Sequence, residues 1–135
     1  MRMTIAIAAL VFATITPAHA GIGLDCNLDT TQADGFIGDR FVAGIDEPTG
    51  EAAVHDALVD QFNNGQTLDG RVEHADETSV LIGWELMVRD ADGIDAEMVY
   101  RARYDRAQKY LRVTARPKGY NTEFRAEGGC KVEGF

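Results

Sequence analysis

Residues 78–89 read Thr78-Ser79-Val80-Leu81-Ile82-Gly83-Trp84-Glu85-Leu86-Met87-Val88-Arg89. Val80, Ile82, Trp84, Leu86 and Val88 recur with a period of two. That is the pattern of a strand with one face against a core. The same alternation continues downstream through Met98, Tyr100, Ala102 and Tyr104, then Leu111, Val113 and Ala115, then Thr122, Phe124, Ala126, Cys130 and Val132. Turn-forming stretches separate the runs: Asp90-Ala91-Asp92-Gly93, Asp105-Arg106-Ala107-Gln108 and Pro117-Lys118-Gly119-Tyr120. The second half of the chain is therefore expected to be an antiparallel meander of four strands.

Upstream, Ile22, Leu24, Cys26 and Leu28 predict a first strand of the same kind. Residues 36–70 are less regular. Phe36-Ile37-Gly38 and Phe41-Val42-Ala43 suit short strands, and Leu68 to Glu73 suits another. Val54, Leu58 and Phe62 stand at helical spacing, which predicts a short helix from about Glu51 to Asn63 or an irregular stretch ending at Asn64-Gly65.

The cysteines join the two ends of this pattern. Cys26 and Cys130 are the only two in the chain, and they lack the close spacing of redox or metal motifs. A structural disulfide is expected, and it requires the first strand to lie beside the last, since bridged Cα atoms sit only about 4.4–6.8 Å apart. The fold class that follows is mainly β: an antiparallel meander closing into a small barrel or a sandwich, with one disulfide and at most a short helix.

Residues 1–20 carry a different message. Arg2 precedes an apolar run from Thr4 to Ile15, and Ala18-His19-Ala20 places small residues at a cleavage site. This is the layout of a secretory signal peptide cleaved after Ala20, leaving residues 21–135 as a single β-rich domain. The run is too short for a membrane-spanning helix, and Leu24-Asp25 before Cys26 does not suit a lipoprotein. A short signal with no Asn-x-Ser/Thr sequon favours a periplasmic or secreted bacterial protein, where disulfides persist.

The chain of 135 residues has a net charge of −9, against the basic balance of a nucleic-acid binder. The charge is unevenly spread. Residues 21–100 hold 3 basic and 18 acidic groups, a balance of −15, whereas residues 101–135 hold 9 basic and 4 acidic groups, a balance of +5. Matching apolar faces across the turns opposes Val88 with Met98, Tyr104 with Lys109, and Val113 with Phe124. The outer face would then carry a row Glu85–Arg101–Arg112–Arg125 with Tyr110 beside it. Such a row suits an anion: a carboxylate-rich protein, a phosphorylated or sulfated group, or an acidic glycan. Self-pairing with Glu85, Glu123 and Glu127 is the alternative.

Other candidate chemistry is sparse. His55 and His74 are the only histidines after residue 20, and Glu73, Asp76 and Glu77 flank His74, a setting for carboxylate/His catalysis. Ser79 is the one serine and sits in no nucleophile motif. Asp90, Asp92, Asp95 and Glu97 gather in one loop and form a weak calcium candidate, although Gly93 and Glu97 fall too early for an EF-hand. Trp84, Tyr100 and Tyr104 share the inward parity, leaving Tyr110 outside.

Pro117-Lys118-Gly119-Tyr120-Asn121, followed by Phe124, Gly128 and Cys130 and preceded by the Trp84 strand, resembles small exported bacterial β-rich proteins of unknown function. The likeness covers the second half and implies a β fold with a terminal cysteine, with no activity attached. Size, disulfide and meander also resemble the architecture of the small β-barrel inhibitors of lysozyme, without their Ser-Gly-x-x-Tyr signature. The resulting expectation is an exported, non-enzymatic binding module without a cofactor. It would have no stable membrane insertion and would use Arg101, Tyr110, Arg112 and Arg125 as contacts. A small carboxylate/His enzyme and a calcium-binding envelope protein are the alternatives.

Overall fold

The computed structural model describes residues 21–134; the signal-peptide reading of residues 1–20 lies outside the described residues. Eight antiparallel strands follow one another around a closed barrel: β1 (Gly21–Asn27), β2 (Arg40–Asp46), β3 (Glu51–His55), β4 (Leu68–Ala75), β5 (Ser79–Arg89), β6 (Asp95–Asp105), β7 (Tyr110–Pro117) and β8 (Phe124–Gly134). Of the two architectures the sequence allowed, the barrel is the one formed.

Closure takes place between β1 and β8, where Cys26 opposes Cys130 and the two are disulfide-bonded with Cα atoms 4.0 Å apart. Every strand edge is thereby paired. Close approach at this seam depends on Gly128. A Cβ placed there would lie 1.8 Å from the Asn27 carbonyl oxygen.

Side chains fill the barrel, as expected at this strand number. Phe41, Trp84 and Tyr100 stack in sequence, with ring centroids 5.3 Å apart at each step, and Leu24, Ile82 and Leu111 pack around them. Outward positions on β6 and β7 carry Arg101, Arg103, Arg112 and Arg116. This apolar-in, charged-out alternation is the inverse of a membrane-spanning barrel. No helix among the described residues is long and apolar enough to cross a membrane.

The middle of the chain departs from its expected form. Helix α1 covers only Ala57–Phe62, and Val54 belongs to strand β3 rather than to a helix beginning near Glu51. Asp56 decides the boundary: its carboxylate accepts the Val59 amide at 2.8 Å and caps the helix, so helical backbone cannot extend upstream. Phe36-Ile37-Gly38 is loop, not strand, although Ile37 is buried. This loop and α1 cover one end of the barrel. The hairpin tips between β5 and β6 and between β7 and β8 stand at the same end.

The registers correct the expected charge row. Val88 opposes Ala96, Tyr104 opposes Leu111, and Val113 opposes Ala126, so each of the three hairpins is displaced by two residues. The turns set these registers. Asp90 Oδ1 accepts the Asp92 and Ile94 amides at 2.9 Å, closing the β5–β6 loop before Asp95. Lys109 has φ +50° and belongs to its turn, so it cannot pair with Tyr104. Gly128 locks β8 against β1. Because every displacement is even, inside and outside are preserved while neighbours change. One outer row becomes Arg71–Gly83–Arg101–Thr114–Arg125 and the next Leu81–Arg103–Arg112–Glu127, while Glu85 opposes Val99.

Candidate functional site

The four expected contact residues all lie on the outer face of β6–β8, but they do not form one line. Arg101 and Arg125 stand on either side of Thr114. Arg112 lies one row away, between Arg103 and Glu127, with its guanidinium 5.1 Å from the centroid of the Tyr110 ring. The Tyr110 hydroxyl donates to Glu127 at 3.0 Å; desolvation first, then this carboxylate, raises the phenol above its ordinary range. Arg112 is 3.6 Å from the same carboxylate. This corner of the patch is therefore a self-paired Tyr110–Glu127–Arg112 cluster. Tyr120, at a hairpin tip, is exposed as well, so Tyr110 does not stand apart from the other tyrosines in reaching solvent.

Arg101 belongs to a second ion-pair network, which a bulge in β4 creates. Glu73 is the extra residue where the β4–β5 register shifts. Its side chain lies over Gly83, where a Cβ would come within 2.3 Å of Oε1. There Glu73 receives Arg71 at 3.0 Å and Arg101 at 3.1 Å, while Arg71 also reaches Glu85 at 2.9 Å. Glu85, expected beside Arg101, meets Arg71 instead.

Between Arg101 and the β7–β8 hairpin lies a surface groove of about 370 Å³. Val99 and Thr114 line it, together with the cationic side chains Arg101, Arg116 and Lys118 and one carboxylate, Glu123. Arg116 is 3.7 Å from Glu123, and Lys118 is 3.6 Å from Glu97, both beyond direct hydrogen-bonding distance. Three partly exposed cations thus border one groove: the counter-charges of Arg116 and Lys118 are loosely held, whereas Arg101 is held by Glu73 at 3.1 Å. Arg116 and Lys118 were not singled out in the sequence; the basic surplus of residues 101–135 was the signal that contained them.

Lys118 and Pro117 also border a cleft of about 560 Å³ at the covered end of the barrel. Its apolar lining includes Phe36, Ile94, Met98, Tyr120 and Phe124, with Phe36 and Phe124 ring centroids 4.7 Å apart. A further groove, of about 540 Å³, lies over Gly44, Ala53 and Gly70 and is bordered by Asp46, Glu51 and Asp69; none of the residues lining it is basic.

The remaining candidates are dispersed. Asp90 holds turn amides, Asp95 accepts Arg89 at 2.9 Å, and Glu97 faces Lys118, so the calcium-candidate carboxylates Asp90, Asp92, Asp95 and Glu97 do not converge. Among the described residues no group of three or more His, Cys, Asp and Glu is placed to hold a metal ion. His74 Nε2 is 3.1 Å from Asp76, His55 Nε2 is 3.6 Å from Asp60, and Glu73 turns toward the arginines. Ser79 Oγ meets Arg103 at 3.4 Å rather than a histidine. Among the described residues, Ser79, His55 and His74 are not brought together as nucleophile, base and orienting group.

No family model matches this chain, and no curated protein or solved structure does.

Proposed function

We propose that this chain is an exported, non-enzymatic binding module, periplasmic or secreted, which takes an anionic partner on the outer face of β6–β8. The observation that carries the reading is a groove lined by Arg101, Arg116 and Lys118 and by a single carboxylate, Glu123, in which the Arg116 and Lys118 counter-charges stand beyond hydrogen-bonding distance, on a protein whose other half is strongly acidic. Phosphate, sulfate and carboxylate groups are the chemistry that guanidinium and ammonium side chains recognise. The Cys26–Cys130 disulfide and the signal-like residues 1–20 support export, in keeping with the resemblance of the second half to small exported β-rich proteins.

Titration of isotope-labelled protein with inorganic phosphate tests the site. Amide shifts should concentrate at Arg101, Thr114, Arg116 and Lys118, weaken with added salt, and be lost in Arg116→Glu. Shifts that ignore salt, or that persist unchanged in Arg116→Glu, would remove the reading.

A further inference from the structure

The cationic groove and the apolar cleft are neighbours that share Pro117 and Lys118. From this contiguity we infer that the site takes an amphipathic anion: a single-chain molecule with its phosphate, sulfate or carboxylate head in the groove and its apolar tail in the cleft. The inference rests on the anion reading above and adds the class of ligand.

The cleft has the makings of a tail site. Its volume, about 560 Å³, falls in the range of small-molecule pockets, and barrel mouths are common places for them. Met98 is fully buried, and Phe36 and Phe124 are partly buried against the core. Ile94 and Tyr120 are 61% and 69% exposed at the two hairpin tips, large apolar side chains left in water beside an open cleft. Burial of Ile94 and Tyr120 by a tail removes apolar surface from solvent on both partners.

The acids around the cleft do not oppose an anion equally. Asp95 is held by Arg89, and the Asp90 carboxylate is directed at backbone amides of its own turn. Glu97 stands 3.6 Å from Lys118, whose backbone amide also donates to the Glu97 carbonyl at 2.8 Å. Lys118 is therefore fixed by its main chain at the junction, with its ammonium group free to turn from Glu97 to a head group. An apolar tail without a charge would leave Arg116 and Lys118 with only their distant carboxylates, and a bare anion would leave the cleft wet.

Octyl phosphate below its micelle concentration, inorganic phosphate and octanol separate these contributions by NMR titration. Octyl phosphate should shift the Ile94 methyls and the Tyr120 ring together with the Arg116 and Lys118 amides. It should bind at least about tenfold tighter than inorganic phosphate, the effect of burying some two methylenes. The double variant Ile94→Ser/Tyr120→Ser, both positions exposed, should return octyl phosphate to the affinity of phosphate and leave phosphate unchanged. Phosphate binding in the groove with no gain for octyl phosphate would overturn the joint site while sparing the anion reading. Octanol binding as tightly as octyl phosphate, with no phosphate response, would overturn both. Binding confined to anionic phospholipid vesicles, with none to monomers, would replace the joint site by a membrane-surface contact.

Discussion

The Tyr100 hydroxyl donates a hydrogen bond to the Phe36 carbonyl oxygen, 2.8 Å away, across 64 residues of sequence. Tyr100 lies at the end of the Phe41–Trp84–Tyr100 stack, and burial, then the Asp56 charge, pushes its phenol well above the ordinary range, so it is neutral and a donor throughout the physiological pH range. The bond ties the β1–β2 loop to the barrel wall and holds Phe36 where it borders the apolar cleft. Tyr100→Phe keeps the stacked ring and removes the donor. It should destabilise the protein by about 1–2 kcal/mol in urea unfolding, with faster amide exchange in residues 33–37. Unchanged exchange in that loop would deny the tie.

Side-chain parity was readable from the sequence and register was not, for one physical reason. The pleat fixes a period of two, so Val80 to Val88 and Met98 to Tyr104 declare their inward face without reference to any neighbour. Register depends on how each turn closes, and pairing large apolar residues with each other ignored the Asp90 carboxylate, the left-handed Lys109 and the Gly128 contact. Arg101 was recognisable as a surface cation, but its grouping with Arg116 and Lys118 exists only in the register where Val99 opposes Arg116. The apolar cleft was hidden further, because Phe36 arrives from a loop whose sequence suits a strand.

Two adjacent glycines give opposite expectations at the barrel seam. A Cβ on Gly128 meets the Asn27 carbonyl at 1.8 Å, whereas one on Gly129 meets nothing within 4 Å. Gly128→Ala should cost about 3 kcal/mol or more, since backbone must move, and Gly129→Ala should change stability by no more than about 0.5 kcal/mol. Paired urea unfolding curves check the contrast. Equal effects would mean that β1 and β8 do not approach so closely.

The disulfide fastens the same seam. Cys26 and Cys130 are 104 residues apart in sequence, so the bond restricts nearly the whole unfolded chain. Replacement of both by serine should lower stability by roughly 4–5 kcal/mol on the chain-entropy account. Thiol titration of the unfolded, unreduced protein should find no free thiol; two thiols would leave the seam to backbone pairing.

Asp76 makes stability depend on acid. Its Oδ1 accepts the Ser79 amide, the Thr78 hydroxyl and the Thr78 amide, each at 2.8 Å, which holds the carboxyl far below its ordinary 3.8. The fold favours the ionised form, so this contribution is complete above about pH 4 and declines as pH falls toward the lowered folded value. Asp76→Ala should therefore be less stable than the parent near neutral pH, and the difference should shrink as urea midpoints are followed down to about pH 2. A difference independent of pH would assign the loss to something other than this carboxylate.

Glu73 holds the Arg101 guanidinium that the proposed anion site would use. Its carboxylate, 3.1 Å from the guanidinium, is seated over Gly83 and is also held by Arg71. Glu73→Gln keeps the shape and removes the charge, which frees Arg101 to turn toward the groove. Surface pairs contribute roughly 0.2–1 kcal/mol, and this one is exposed on its arginine side only, so inorganic phosphate should bind about fivefold tighter in the variant, with a steeper loss of affinity as salt rises. The same substitution should leave Ile94 and Tyr120 shifts with octyl phosphate unchanged in pattern, because the cleft does not include Glu73. Weaker phosphate binding in Glu73→Gln would mean that Glu73 positions Arg101 for the ligand rather than withholding it.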